Sequence, residues 1–243
     1  MPRFFVDKES IADGRVLITE DDAFHIARSL RMAVGDTLTV SDGEGEDHLV
    51  RLTRIRDEEC EAEIISSAPS RSESPVAVTL LMAYPKGDKL ETVIQKAVEL
   101  GVGRIVPFES SRCIKRPKAE KTEKLLARFS RIAEEAAKQC GRSRIPTVSA
   151  PVDFKKALAI AAESELSLFC YEDEHNLSLK DELRGKKYSS ISVTVGAEGG
   201  FSPEEARLAK EAGLVSISLG PRILRCETAP LYALSAVSYE YEL

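Results

Sequence analysis

Residues 76–84 read VAVTLLMAY, a nearly unbroken apolar run. A strand with no face to give to water belongs inside a sheet covered on both sides. The next segment, DKLETVIQKAVELG, puts Leu90, Val93, Ile94, Ala97 and Val98 on one helical stripe, which is what such a cover requires. Gly101 stands where this helix should stop, because glycine takes the left-handed terminal conformation with least strain. The unit then recurs. RIVPF reads as a strand and 119–140 as a long helix with Leu125, Phe129, Ile132 and Ala136 on its apolar side. Residues 153–163 read as a helix, LSLFCY and SISVTV as strands, 203–212 as a helix, LVSISL as a strand, and the chain from about 228 as a last helix. Alternation of this kind predicts an α/β domain, a parallel sheet with helices on both faces.

The first part of the chain is different. TLTVSDG and EGEDHLVRLTRI alternate apolar and polar residues around an Asp42-Gly43 turn signal, and CEAEIISSA reads as a further strand. Short strands with charged turns predict a small barrel or sandwich. The polar, proline-containing stretch SAPSRSESP, 67–75, reads as a linker. The expected domains are therefore 1–70 and 71–243.

Five cysteines are scattered without a C-x-x-C pair, and there are three histidines. Neither a metal centre nor a disulfide framework is expected. No apolar run approaches the ~20 residues of a membrane span, and MPRFFVDKES lacks the apolar core of a signal peptide. The expectation is a cytoplasmic protein with no membrane partner and no metal. The net charge of −6 alone argues against a polyanionic partner. Residues 104–146, however, carry twelve Lys/Arg against five Glu, a net of +7, which leaves −13 on the rest. An i,i+4 pair such as Glu120–Lys124 accounts for part of this. Arg112, Lys115, Arg116 and Lys118, and then Arg142 and Arg144, lack matching acids in the sequence and are candidates for contact with a polyanion, such as a nucleic acid.

Residues 193–205, VTVGAEGGFSPEE, join a β-branched run to a glycine loop and a helix start. Ser202 is the expected N-cap, Pro203 the first helical residue and Glu205 the closing member of a capping box. A strand, a glycine turn and a helix N-terminus suit a small ligand, although a tight turn with no ligand has the same sequence pattern. The loop lacks the lysine of a phosphate loop, and the dinucleotide pattern is missing after the first strand, AYPKGDK. Glu198 lies among the glycines, which disfavours an anion and favours a neutral or cationic ligand. A second loop, LGPRILRCETAPLYALS, holds Ile223 and Leu224 between Arg222, Arg225 and Glu227. Apolar residues with convergent polar groups suit an adenine-type pocket. Thr228 is the expected cap of the last helix, with Pro230 in its first turn. In open parallel sheets, both loops would lie beyond the carboxyl ends of strands, where ligands bind.

These motifs, VGAEGGFSPEE and LGPRILRCETAPLYAL, closely resemble those of the uridine-N3 methyltransferases of ribosomal small-subunit RNA, a branch of the SPOUT class. RFFV and HIARSLRMAVGD resemble that family's N-terminal, PUA-like RNA-binding barrel, and KGDKLETVIQKAVELGV and EEAAKQCGRSRIP resemble two further blocks. The likeness covers essentially the whole chain. Two positions depart from it: Ala197 stands where proline is usual, and Cys226 where threonine is frequent.

The resemblance implies a deep trefoil knot in the C-terminal domain, a homodimer, and S-adenosyl-L-methionine as cofactor. It implies methyl transfer to N3 of a uridine in 16S ribosomal RNA of the small subunit. It places Gly196, Glu198, Gly199 and Gly200 of the first loop at the cofactor, with Leu219, Gly220, Leu224, Thr228 and Ala229 of the second. For that reaction Arg225 is the candidate for contact with the substrate, and Glu198 or Glu227 the candidate acceptor of the N3 proton, the alternative being that either only satisfies backbone N–H groups of its loop. It directs Arg142 at RNA, across the dimer. Three alternatives stay open at this point: ribose 2′-O methylation by a related knotted enzyme, a non-catalytic RNA-binding protein, and an enzyme that uses GAEGG as an anion loop.

Overall fold

The computed structural model describes residues 1–114 and 122–243. The chain divides into two compact units, 1–73 with 137–145, and 74–136 with 146–243. The short segment 137–145 is therefore part of the first unit, which nothing in its composition announces.

The first unit is built on β1 (Arg3–Phe5), β2 (Ile11–Ala12), β3 (Arg15–Thr19), α1 (Glu20–Phe24), β4 (Thr37–Ser41), β5 (Glu46–Ile55) and β6 (Glu59–Pro69). A single π-helical turn, His25–Ser29, continues α1. The strands pair in the order β1-β4-β5-β6-β3-β2, with β1 parallel to β4 and the rest antiparallel. The ladder does not close on itself, so its hydrogen bonding is that of an open sheet. Alternation sets the core: Val16 and Ile18, Leu38 and Val40, and Val50 and Leu52 are buried, while Leu17, Thr39 and Arg51 between them are exposed or half-buried. Strand β6 runs to Pro69, opposite Glu46, so residues 67–69 of the expected linker are strand.

The second unit holds β7 (Ala77–Ala83), α2 (Lys89–Glu99), β8 (Arg104–Glu109), α3 (Thr122–Cys140), β9 (Thr147–Val148), β10 (Val152–Asp153), α4 (Phe154–Ala161), β11 (Leu166–Cys170), α5 (Leu179–Leu183), β12 (Ser190–Val195), α6 (Pro203–Glu211), β13 (Val215–Ile217) and α7 (Thr228–Glu242). The last turn of α3 belongs to the first unit. Residues 119–121 of the expected long helix, and Glu120 of the expected Glu120–Lys124 pair, lie outside the described residues. The sheet order is β10-β8-β7-β12-β11-β13, with β9 beside β8, and every pairing is parallel. The expectation from VAVTLLMAY holds: Leu80, Leu81, Met82 and Ala83 are all fully buried. So is the α2 stripe of Leu90, Val93, Ile94, Ala97 and Val98. Gly101 has φ +84, the left-handed turn that ends α2. No helix among the described residues is long and apolar enough to cross a membrane.

Because the sheet is parallel, the strands present their carboxyl ends along one edge. Strand β12 lies between β7 and β11. The chain thus reverses its lateral direction beside β7, the place where open parallel sheets leave a crevice for a ligand.

Candidate active site

A cavity of about 510 Å³ opens at this edge. Four connections wall it: Lys89 after β7, Tyr171 and Glu172 after β11, residues 195–200 after β12, and residues from 218 to 229 after β13. The two loops read from the sequence are thus brought together. Gly196, Glu198, Gly199, Gly200, Leu219, Gly220, Leu224, Arg225 and Ala229 all line the cavity. Thr228 is not among the lining residues.

The glycine loop is held from behind. Ser202 caps α6 and accepts from the Glu205 backbone N–H, while the Glu205 carboxylate accepts from the Ser202 N–H, the expected capping box. Phe201 is buried and packs on the rings of Phe108, Phe154 and Phe169, with the Phe169 centroid 4.2 Å away. Gly200 has φ +61, and a Cβ there would lie 1.9 Å from Glu172 Oε1. A Cβ on Gly196 would lie 3.2 Å from the Gly200 backbone. Both glycines therefore let the backbone turn tightly along the cavity wall.

The expected cap of α7 is not formed. Thr228 is already the first helical residue, the N-cap position is Glu227, and no side chain caps the helix there. Glu227 turns its carboxylate to Lys89 instead. Pro230 lies in the first turn, as expected.

Lys89, like Tyr171 and Glu172, is a site residue that the sequence did not single out. Its Nζ lies 3.0 Å from Glu198 Oε1 and 3.2 Å from Glu227 Oε2. It also lies 3.6 Å from Cys226 Sγ, whose thiol donates to Glu227 Oε2 at 3.2 Å. Glu198 further accepts from the Lys86 backbone N–H at 3.1 Å. Burial pushes Glu198 up, but the Lys89 ammonium and backbone N–H groups pull it below the usual carboxylate value. Glu227 is held low by its own backbone N–H, by Cys226 and by Lys89. The two carboxylates hold Lys89 well above the usual lysine value. Burial pushes the Cys226 thiol up to about 12, so it stays protonated at neutral pH.

The arginines divide into two sets. Arg222 and Arg225 line the cavity and make no ion pair among the described residues, and Ile223 between them is 83% exposed. Arg112 is engaged with the glycine loop, donating to Gly199 O at 2.9 Å. Arg142 is buried and donates to Glu73 at 2.6 Å; the same carboxylate accepts from the Ser143 and Arg144 N–H groups. Arg144 donates to Glu44 O at 2.6 Å. The acid that the sequence did not pair with Arg142 is thus Glu73, and the Arg144 guanidinium meets the Glu44 backbone carbonyl, both within the first unit. Lys115, Arg116 and Lys118 lie outside the described residues. Lys96 pairs with Glu99 on the solvent side of α2. Asp42, Glu46 and His48 approach one another in the first unit, but Asp42 already accepts from three backbone N–H groups.

A parallel α/β unit with a glycine-walled cavity at its carboxyl edge, following a small β unit, defines a class. Residues 72–238 match the model of an RNA methyltransferase domain, and residues 18–65 match an RNA methyltransferase PUA domain. The chain is similar to proteins named ribosomal RNA small subunit methyltransferase E. The one from Bacillus subtilis is 33% identical, over 100% of this chain and 98% of its own length. The one from Synechocystis is 32% identical, over 97% and 77%. A solved structure of this enzyme from Neisseria gonorrhoeae, bound to S-adenosyl methionine, is 34% identical with a TM-score of 0.87, over 98% of this chain and 97% of that one. A Legionella pneumophila structure, a putative methyltransferase with bound cofactor, is 30% identical with a TM-score of 0.84, over 98% and 96%. The chain belongs to the ribosomal RNA small subunit methyltransferase E family.

Proposed function

We propose that the chain transfers a methyl group from S-adenosylmethionine to N3 of a uridine in 16S ribosomal RNA of the small subunit, acting as a cytoplasmic homodimer. The observation that carries this reading is the cavity: two glycine-containing loops meet at the carboxyl edge of the sheet in a chain of this family. The residues present fit the cofactor. Leu219, Leu224 and Ala229 offer apolar walls to an adenine ring. Backbone groups of 196–200 and 218–220 offer its hydrogen-bond partners, and Glu172 and Glu198 suit a cationic ligand. When bound, S-adenosylmethionine supplies an electrophilic methyl on a positively charged sulfur.

The residues of the chain supply placement and charge. Arg225 and Arg222, which have no ion-pair partner among the described residues, face the uracil oxygens on which negative charge builds as N3 loses its proton. Both carboxylates offered as proton acceptors are held low by Lys89 and by N–H donors, so each is a weak base. We therefore assign Glu198 and Glu227 to the shape of the cavity and let the N3 proton pass to water. N3 lies on the pairing edge of the base, so the uridine enters unpaired. Arg112, Lys115 and Arg116 are assigned to RNA by their charge. The loops that carry the cradle would be the crossed loops of a trefoil knot. Exposed Tyr232 and Tyr239 on α7 are the surface assigned to the dimer contact.

The test is transfer of label from S-adenosylmethionine to small subunits taken from cells that lack the enzyme, with naked 16S RNA and tRNA in parallel. Label recovered as 3-methyluridine is the expected result. Label in 2′-O-methyluridine would move the chemistry to ribose. Donor binding with no label in any RNA would sink the substrate.

A further inference from the structure

Lys89 occupies an unfavourable place for a cation. It is the first residue of α2, where the helix dipole favours negative charge. Its ammonium is nevertheless turned toward the cavity wall, where it meets Glu198 of the glycine loop and Glu227 of the second loop. These contacts join segments 109 and 138 residues apart in the chain. Among the described residues, no other side chain bonds to both loops.

The second loop needs such a tie. Gly220 turns it with φ +113, and Arg222, Ile223 and Arg225 are all exposed. The backbone bonds at its far end, Thr228 N–H and Ala229 N–H to Arg225 O, stay within the loop and the start of α7. Lys89 is what connects that end to the glycine loop. The three side chains are only partly covered, with 34%, 28% and 27% of their surfaces exposed. Pairs of that exposure add little to global stability. Their effect is local, on the distance between two walls of one cavity.

We propose that Lys89 is a positioning residue, whose ammonium ties the glycine loop to the second loop through Glu198 and Glu227 and so sets the width of the cavity. The assignment rests on the reading of that cavity as the methyl-donor site. It gives Glu227, which does not line the cavity itself, an indirect part in binding through Lys89.

The test is calorimetric titration of S-adenosylmethionine into the full-length wild-type chain and the variants Lys89→Met, Lys89→Arg, Glu227→Gln and Lys89→Met/Glu227→Gln. Lys89→Met is expected to weaken donor binding about tenfold, a cost typical of lost positioning. Its melting temperature should stay within about 3 °C of wild type. Lys89→Arg should recover most of the affinity. The double variant should bind no worse than Lys89→Met, since residues of one network do not act additively. Equal donor affinity in wild type and Lys89→Met would overturn the proposal, as would additive losses in the double variant. A wild-type chain that binds no donor would remove the reading of the cavity, and this proposal with it.

Discussion

The Glu205 carboxylate accepts from both the backbone N–H and the hydroxyl of Ser111, each at 2.7 Å and 94 residues away in sequence. The same group closes the capping box of α6. It is 5% exposed, so its donors have no water to turn to once it is removed. Glu205→Ala is expected to destabilise the chain by about 2–3 kcal/mol, the cost of stranding donors that served a charged acceptor. Urea unfolding reads this directly, and a loss well below 1 kcal/mol would show that the loop rebuilds its bonds.

The same carboxylate makes stability depend on pH. Burial pushes Glu205 up, but N–H and O–H donors from Ser202 and Ser111 overcome it and leave the group below its ordinary 4.5. Glu73 is likewise held low, by Arg142 and the N–H groups of Ser143 and Arg144 against its burial. A lowered folded-state value contributes stability above pH 4.5 that is lost as pH falls through the folded value. The melting temperature should hold steady from pH 7 toward 5 and then drop. Glu205→Gln should flatten part of that drop.

Gly200 cannot take a side chain without a double cost. Its φ of +61 strains any L residue, and a Cβ would meet the Glu172 carboxylate. Gly200→Ala is expected to cost about 1–2 kcal/mol in backbone strain. It should also reduce donor binding, because Glu172 lines the same cavity. Thermal unfolding and donor titration separate the two effects.

Arg142 and Glu73 form a mostly buried pair, with side chains 6% and 17% exposed. Arg142→Met strands the carboxylate and should destabilise the chain by about 3 kcal/mol. RNA affinity per folded molecule should be unchanged. A direct phosphate contact would give the opposite pattern, an intact fold with weaker binding and a shallower salt dependence. Guanidinium unfolding beside a salt series of RNA binding decides between them.

Arg225 lines the cavity without an ion-pair partner among the described residues. Arg225→Gln should lower the transfer rate about 100-fold, the loss seen when one charge-stabilising donor is removed. Donor affinity should be nearly unchanged. A fall in donor affinity with an unchanged rate at saturation would place Arg225 in the donor pocket instead.

Much of the fold was legible because its signals are local. Leu90, Val93, Ile94, Ala97 and Val98 repeat at helical spacing, and all five are buried on α2. Ser202, Pro203 and Glu205 announce the start of α6 within four residues. Signals shorter than a full period were missed. β1, β9 and β10 have two or three residues each, and α5 has five. Thr228 shows the limit of a cap read from residue type. Nothing in the sequence told that the helix would begin on it rather than after it.

The sequence by itself determined the longer helices and strands, the parallel α/β class of the second unit, and the two loops that wall the cavity. Periodicity, glycine and capping residues act over one or two turns, so they are written where they work. Tertiary structure alone decided which charges meet. Arg142 counts as one more cation in a basic stretch until Glu73, 69 residues away, buries it. Lys89 counts as one lysine of KGDK until strand order brings Glu198 and Glu227 to its ammonium. The energy of a charge depends on its distance from its partner and on the water around it, and both are set by topology and register.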